Sequence, residues 1–415
     1  GRKVEENIIN GAVSRVLSAK TEWGEILQCA HNPHMQVIIS NTTETGIQLV
    51  NDDIRRHPPL SFPGKLLSFL YERYNAFAGS RQSGMVIIPT ELITDNGRKL
   101  ESIVMELAHL NGLEDGFIQW LETANRFCNS LVDRIVPGKP DTTVKDKIEK
   151  ELGYTDELLI MAEAYSLWAI EGDDEIKTIL SFAAADNGVV IEKDITLFRE
   201  LKLRMLNGTH TLSCGLAHLA GFETVRQAME DDNMCRYIAD LMLNEIAPAI
   251  PWHVKKETAE EFGKKVLDRF RNPYINHQWL SISMQYTSKM KMRNVPVILK
   301  YGELFNAVPE NIALGFAAYL SFMRPLQKQQ DRYYGEQAGK TYLLQDDYAG
   351  YFYEKWSTFK PAALAAEVLS DISLWGEDLS AIPGFTESVA GKMNMISEEG
   401  VVHTLQRRLS QKAVI

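Results

Sequence analysis

No CxxC pair occurs among the four cysteines, Cys29, Cys128, Cys214 and Cys235, which lie far apart in the 415-residue sequence. Neither a disulfide framework nor a zinc ribbon is therefore expected, and a reducing cytoplasm suits the chain best. Basic tracts are missing too: 44 Lys and Arg stand against 55 Asp and Glu, a net charge of −11. That balance argues against nucleic acid and against an anionic membrane surface as partners. An anionic ligand on such a chain needs a local cluster of Arg or Lys. Long apolar runs are missing as well. The longest, "IALGFAAYLSFM" (312–323), is twelve residues, too short to span a bilayer and suited to a buried helix. No G-x-G-x-x-G occurs, and "GEQAGKT" (335–341) is one residue short of a phosphate-binding loop between its glycines. "HNPH" (31–34) offers two His, but Pro33 precludes a regular helix and no third ligand is near, so no metal site is expected.

What is present divides the chain in two. Its first half alternates. Apolar runs "MQVIIS" (35–40), "GMVIIPTEL" (84–92), "AYSLWAIEGD" (164–173) and "NGVVIEKDI" (187–195) read as strands. Between them, residues 62–77 carry Leu66, Leu67, Leu70, Tyr71 and Tyr74 at helical spacing, and 96–112 is an amphipathic helix between glycine signals. Strands alternating with helices predict an α/β layer with a mainly parallel sheet over residues 1–194. From about residue 196 the strand patterns stop. Helical patterns follow at 195–220, 223–247, 258–270, 275–292, 302–324 and 361–374, with a capping box expected from Thr258 to Glu261. Residues 195–415 are thus expected to form a mostly α-helical domain, with Asp194 as N-cap of its first helix.

That helix carries "KLRMLNGTH" (202–210). At about 100° per residue, Lys202, His210 and Asn207 lie at roughly 0°, 80° and 140°, with His210 about 12 Å along the axis from Lys202. One bound molecule could meet all three. Gly208 costs about 1 kcal/mol in a helix interior, so another helix or a ligand should approach the backbone there. Spacing alone favours a plainer reading: an exposed face with an incidental Lys and a core His. "NTTETG" (41–46) follows a strand, where open α/β sheets bind ligands, but taken alone it reads more readily as an ordinary polar turn. The same holds for "PTELITDNG" (89–97). In "NSLVDRIVPGKP" (129–140) the plain reading is an Asp133–Arg134 pair in a loop. "RFRNP" (269–273) is either charge complementing a helix C-terminus or a guanidinium clamp for an anion.

Taken together these segments resemble one family, the polyol-specific long-chain dehydrogenases and reductases that include mannitol dehydrogenase. The family's Lys-x4-Asn-x2-His is matched by Lys202, Asn207 and His210, its "NSxVDRI" by 129–135 and its "RFxNP" by 269–273. "NTTETGI", "PTELITDNG", "FCNSLVDRIVPGKP", "ELGYTDE" and "LNGTHT" look most like its hexuronate-reducing members. The resemblance covers nearly the whole chain.

It implies an NAD-binding Rossmann-like domain (1–194) followed by a helical substrate domain (195–415). It implies NAD(H)-dependent reduction of a sugar-acid ketone, with Lys202 as acid in reduction and base in oxidation. A catalytic Lys needs its pKa brought toward neutrality. Asn207 would polarise the carbonyl oxygen and His210 would bind a neighbouring hydroxyl. Thr43, Glu44 and Asp133 are expected on the cofactor side, and Glu91 and Asn272 at the substrate. Arg269 and Lys289 are the candidates for its carboxylate, with Arg271 and Arg293 in reserve. The family opens with a glycine-rich βαβ unit of about 30 residues or more. None is present after Gly1, so that unit is expected to precede it. Mannitol dehydrogenases also carry a second Asn where this chain has Leu92, next to Glu91, which weakens a mannitol reading. A related hexuronate or an uncharged polyol is the competing substrate. A non-catalytic helical binding module is the alternative of a different class.

Overall fold

Val86, Ile87 and Ile88 show how the first half is built. All three are buried, and they alternate between two cores. Ile87 packs with Leu66, Leu70, Leu100, Val104 and Phe117, while Val86 and Ile88 pack with Ile170, Ile176 and Ile191. A strand buried on both faces needs such an uninterrupted apolar run. The computed structural model describes residue 6, residues 8–43 and residues 45–411. It divides into two compact units. One comprises the chain through Arg134 together with Tyr165–Phe198; the other comprises Ile135–Ala164 and the chain from Arg199 onward.

In the α/β unit, β1 (Val37–Ser40), β2 (Val86–Pro89) and β3 (Arg126–Phe127) run parallel in that order. β4 (Ser130–Asp133) pairs antiparallel with β5 (Leu167–Glu171), which pairs parallel with β6 (Val189–Glu192). Segment 126–133 joins the two ladders. Cys128 N–H donates to Ile87 O at 2.9 Å, and Glu171 N–H donates to Asn129 O at 2.8 Å. "NSLVD" is therefore strand, where the sequence reads as readily as a loop. The carboxyl ends of β1, β2 and β4 share one edge of the sheet. The helices Phe62–Ala76 and Asn96–Leu110 cover one face. Arg73, inside the first, is buried and donates to four carbonyls, those of Ser83, Ala30, Asn32 and Met35. It thereby fixes the "HNPH" turn.

The other unit is mostly helical, with a hairpin sheet the sequence did not reveal: β7 (Gln327–Gln329), β8 (Arg332–Gln337) and β9 (Lys340–Leu343), all antiparallel. Strand patterns thus do not stop at 196. These strands are polar and largely exposed, so no apolar alternation marks them. "GEQAGKT" is their turn, with Ala338 and Gly339 at φ of +48° and +78°, the left-handed pair that a two-residue hairpin requires. Three predicted helix bounds also change. Residues 302–324 form two helices, Val295–Phe305 and Glu310–Phe322, broken where Asn306 turns left-handed ahead of Pro309. Residues 275–292 divide at Gln285 into Trp279–Ile282 and Tyr286–Arg293. The helix expected from Thr258 starts at Lys256, which puts Thr258 inside the first turn; the capping box belongs to Thr224 and Gln227.

At the centre, Glu310–Phe322 is buried almost all round and crosses Thr209–Leu219 at two glycines. A Cβ on Gly215 would lie 2.8 Å from Ala318 O, and one on Gly315 would lie 2.7 Å from Leu212 O. Backbone cannot step aside as a side chain can. Gly215→Ala should lower the chemical-denaturation midpoint by the equivalent of about 1–3 kcal/mol, the usual cost of overpacking. An unchanged midpoint would mean the helices can separate freely.

Candidate active site

Lys202 and Asn207 do not lie on an α-helix. After Thr196–Glu200, which follows an Asp194 Oδ1 bond from Thr196 N–H of 2.8 Å, the chain is a π-helix from Leu201 to Gly208. It returns to α-helix at Thr209–Leu219. The angles predicted above therefore change. In a π-helix the hydrogen bond reaches five residues along, so each residue turns less than in an α-helix. Lys202 to Asn207 is one such five-residue step. The π segment brings Asn207 round toward the side of Lys202, where α geometry would hold it at about 140°. Such wide turns are rare and frequent at functional sites.

Both ends of this stretch are anchored. Arg204 pairs with Glu200 at 2.9 Å and donates to Met292 O and Arg293 O at 2.6 and 3.0 Å, so it caps the Tyr286–Arg293 helix. Gly208 is approached by Asn294, which lies between the helices Tyr286–Arg293 and Val295–Phe305: a Cβ there would lie 2.8 Å from Asn294 Oδ1. Lys202 is 9% exposed and His210 4%. Asn207 is half-buried; its carbonyl accepts from Thr211 Oγ1 at 2.7 Å.

His210 stacks on Phe270, with centroids 4.0 Å apart and planes 13° from parallel, and meets His277 and Trp279 edge-on. Its Nε2 is buried without a hydrogen-bond partner. Burial first, then His277 and the Arg293, Arg269 and Lys289 charges, hold its pKa well below the ordinary imidazole range. Burial and Lys289 push His277 down to about 4. Both rings are neutral at pH 7. Below about 6.5 an unfolded imidazole takes up a proton that the folded one refuses, so the unfolded state binds more protons. Stability is then complete above pH 6.5 and is lost as pH falls toward 4. Denaturation midpoints measured from pH 8 to 4 should show that fall, and His277→Asn should flatten part of it.

The cations around His210 differ in what they hold. Arg269 makes a bidentate pair with Glu163, Nη2–Oε1 2.7 Å and Nε–Oε2 3.1 Å, with side chains only 7% and 2% exposed. Glu163 also accepts from Ile135 N–H at 2.6 Å. The pair ties 135–164 to the end of the Lys256–Phe270 helix. Lys289 donates to Ile282 O at 3.0 Å, and Arg293 to Thr211 Oγ1 at 3.0 Å. Arg271 turns outward to Asp268, and Asn272 accepts from Tyr274 N–H in the turn that ends the helix. "RFRNP" is thus a helix stop, a buried ion pair and the ring under His210.

On the α/β unit, Glu91 is buried and accepts from Ser40 Oγ, Thr42 N–H and Thr42 Oγ1 at 3.0, 2.9 and 2.7 Å. It staples the turn after β1 to the end of β2. Thr43 is exposed and hydrogen-bonds Thr45; Glu44 lies outside the described residues. Asp133 is buried at the end of β4, and Leu92 is exposed. Asn96 went unnoticed in the sequence. Buried between strand ends, it donates to Pro89 O, Glu91 O and Ser130 O and accepts from Ser130 N–H. Glu163, Phe270 and His277 were missed as well. Glu163 lies 106 residues from its partner, a separation no local pattern reports.

Residues 3–180 match the family described as Mannitol dehydrogenase Rossmann domain, and residues 194–397 match the Mannitol dehydrogenase C-terminal domain. An altronate oxidoreductase of Bacillus subtilis (strain 168) is 41% identical over 412 residues, covering 98% of this chain and 82% of that protein. An altronate oxidoreductase of Shigella flexneri is 36% identical over 409 residues, covering 97% and 82%. Among solved structures, the Pseudomonas fluorescens mannitol 2-dehydrogenase ternary complex with NAD and D-mannitol superposes with a TM-score of 0.70 at 20% identity, over 96% of this chain and 80% of that one. A substrate-free D-sorbitol dehydrogenase gives 0.70 at 20% identity, over 93% and 78%. These two show a shared fold: a Rossmann-type domain followed by a helical one. The chain belongs to the mannitol dehydrogenase family.

Proposed function

We propose that this protein is an NAD(H)-dependent oxidoreductase that interconverts D-tagaturonate and D-altronate. The observation that carries the reading is the Lys202-x4-Asn207-x2-His210 array, with Lys202 and His210 buried, Asn207 half-buried and the Lys289 and Arg293 charges acting on His210. Relatives named altronate oxidoreductase at 36% and 41% identity support the substrate class. The net reaction is ketone plus NADH plus a proton to secondary alcohol plus NAD+.

A nicotinamide dinucleotide, when bound, supplies the hydride. The residues present fit it: Thr43 and Asp133 sit at the carboxyl ends of β1 and β4, on the edge where open α/β sheets hold such ligands. Lys202 gives its proton to the alkoxide that develops at the reacting carbon, and takes it back in oxidation. Asn207 donates its amide N–H to that same oxygen. His210, neutral and unpaired at Nε2, holds a neighbouring hydroxyl. Lys289 and Arg293, whose charges act on His210, are assigned the carboxylate; Arg269 is held in its bidentate pair with Glu163. Glu91 and Asn272, whose carboxylate and amide oxygens hold their own turns, are positioning residues in this scheme. All four cysteines are free thiols, which suits a reducing cytoplasm. Among the described residues no helix is long and apolar enough to cross a membrane.

A cation cluster favours a carboxylate-bearing substrate over an uncharged polyol. Steady-state rates with NADH and tagaturonate, fructuronate or fructose test this. Tagaturonate should show the highest kcat/KM and fructose the lowest. Fructose as the best substrate would reject the assignment.

A further inference from the structure

His277 is a second imidazole at this site, to which the scheme above gives no task. Its ring centroid lies 5.3 Å from that of His210, with planes at 88°. The backbone holds it there: Val225 N–H donates to His277 O, and Thr224 bridges Gln278. Its Nδ1, like the Nε2 of His210, is buried with no hydrogen-bond partner. Both rings line one cavity of about 10 Å3, shared with Ile135, Arg269, Phe270 and Ile275. That is room for about one water-sized group.

We propose that His210 and His277 together form a two-imidazole clasp for a single hydroxyl of the substrate, and that His277 is a specificity-determining residue. The proposal rests on the oxidoreductase reading for the identity of the sugar acid. Chemistry selects the ligand. A neutral imidazole has one N–H donor and one bare acceptor nitrogen, and a hydroxyl both donates and accepts. Two neutral rings facing one small cavity can therefore accept a hydroxyl's proton on one side and donate to its oxygen on the other. Burial first, then the Arg293, Glu163-paired Arg269 and Lys289 charges at His210 and the Lys289 charge at His277, keep both rings neutral. The acceptor nitrogen survives for that reason. A keto or methylene group in place of the hydroxyl would leave a buried nitrogen unpaired, and such losses are heavily penalised.

The test is calorimetric binding, in the presence of NAD+, of altronate and of its two analogues that each lack one hydroxyl next to the carbinol carbon. Wild-type protein, His277→Phe and His277→Asn are compared. His277→Phe should weaken altronate about 10- to 100-fold and leave one deoxy analogue within about threefold. His277→Asn, which keeps a donor and an acceptor, should recover part of the loss. Equal weakening of altronate and both analogues by both variants would overturn the proposal, as would wild-type protein that binds altronate and both analogues alike. If His277→Phe does not fold, the same contrast is read from His277→Asn. Hydride transfer is assayed separately. Its absence with His277-dependent binding intact would reject the oxidoreductase reading and uphold the clasp.

Discussion

Replacing Lys202 by Ala lowers kcat by about 10²- to 10⁴-fold, the range a positioned acid–base group contributes. The loss should be in kcat, because Lys202 acts on charge that appears only in the transition state. KM should change little, since the hydroxyl and carboxylate contacts are made by other residues. Lys202→Arg should not restore the rate: guanidinium stays protonated, so it can neither release a proton in reduction nor accept one in oxidation. Lys202 sits in the π segment Leu201–Gly208, so the folded state must be verified by circular dichroism. Turnover within tenfold of wild type would remove Lys202 from the mechanism.

Glu163→Ala should destabilise the protein by about 3–5 kcal/mol, the cost of leaving one partner of a buried ion pair without the other. Both side chains are almost wholly buried, and the carboxylate also serves Ile135 N–H. Loss of Glu163 strands a guanidinium one residue from Phe270, on which His210 is stacked. Activity should therefore fall at temperatures where the protein is still folded. Glu163→Gln, which keeps hydrogen bonds but not charge, should lie between. Denaturation midpoints and kcat/KM on the same samples measure both. A Glu163→Ala protein within 1 kcal/mol of wild type would show that the buried pair is not what holds segment 135–164 in place.

These two residues also mark how far the sequence could be read. Lys202, Asn207 and His210 are visible in nine residues because their spacing is short. The π geometry that brings Lys202 and Asn207 toward one side is not visible, since it is a choice of hydrogen-bond register and not of residue type. Glu163 is invisible for a different reason: its partner is Arg269, and only the tertiary fold joins them. The strands at 37–40 and 86–89 declare themselves by short apolar runs, the second buried throughout and the first only in part. The β7–β9 hairpin, polar and exposed, does not. Glu91 shows the limit of reading a polar residue as a site. It looks like a ligand group after a strand, yet its oxygens hold Ser40 and Thr42. Gly208 was read correctly as a point of close approach, and the approaching group is Asn294.

The central claim is direct hydride transfer to a sugar-acid ketone. It is tested by incubating the purified protein with tagaturonate and NADH deuterated at the transferring position, then locating deuterium in the product by NMR. One deuterium at the former carbonyl carbon of altronate, with a single configuration, is the predicted result. Consumption of neither reagent, or product without deuterium at that carbon, would contradict it.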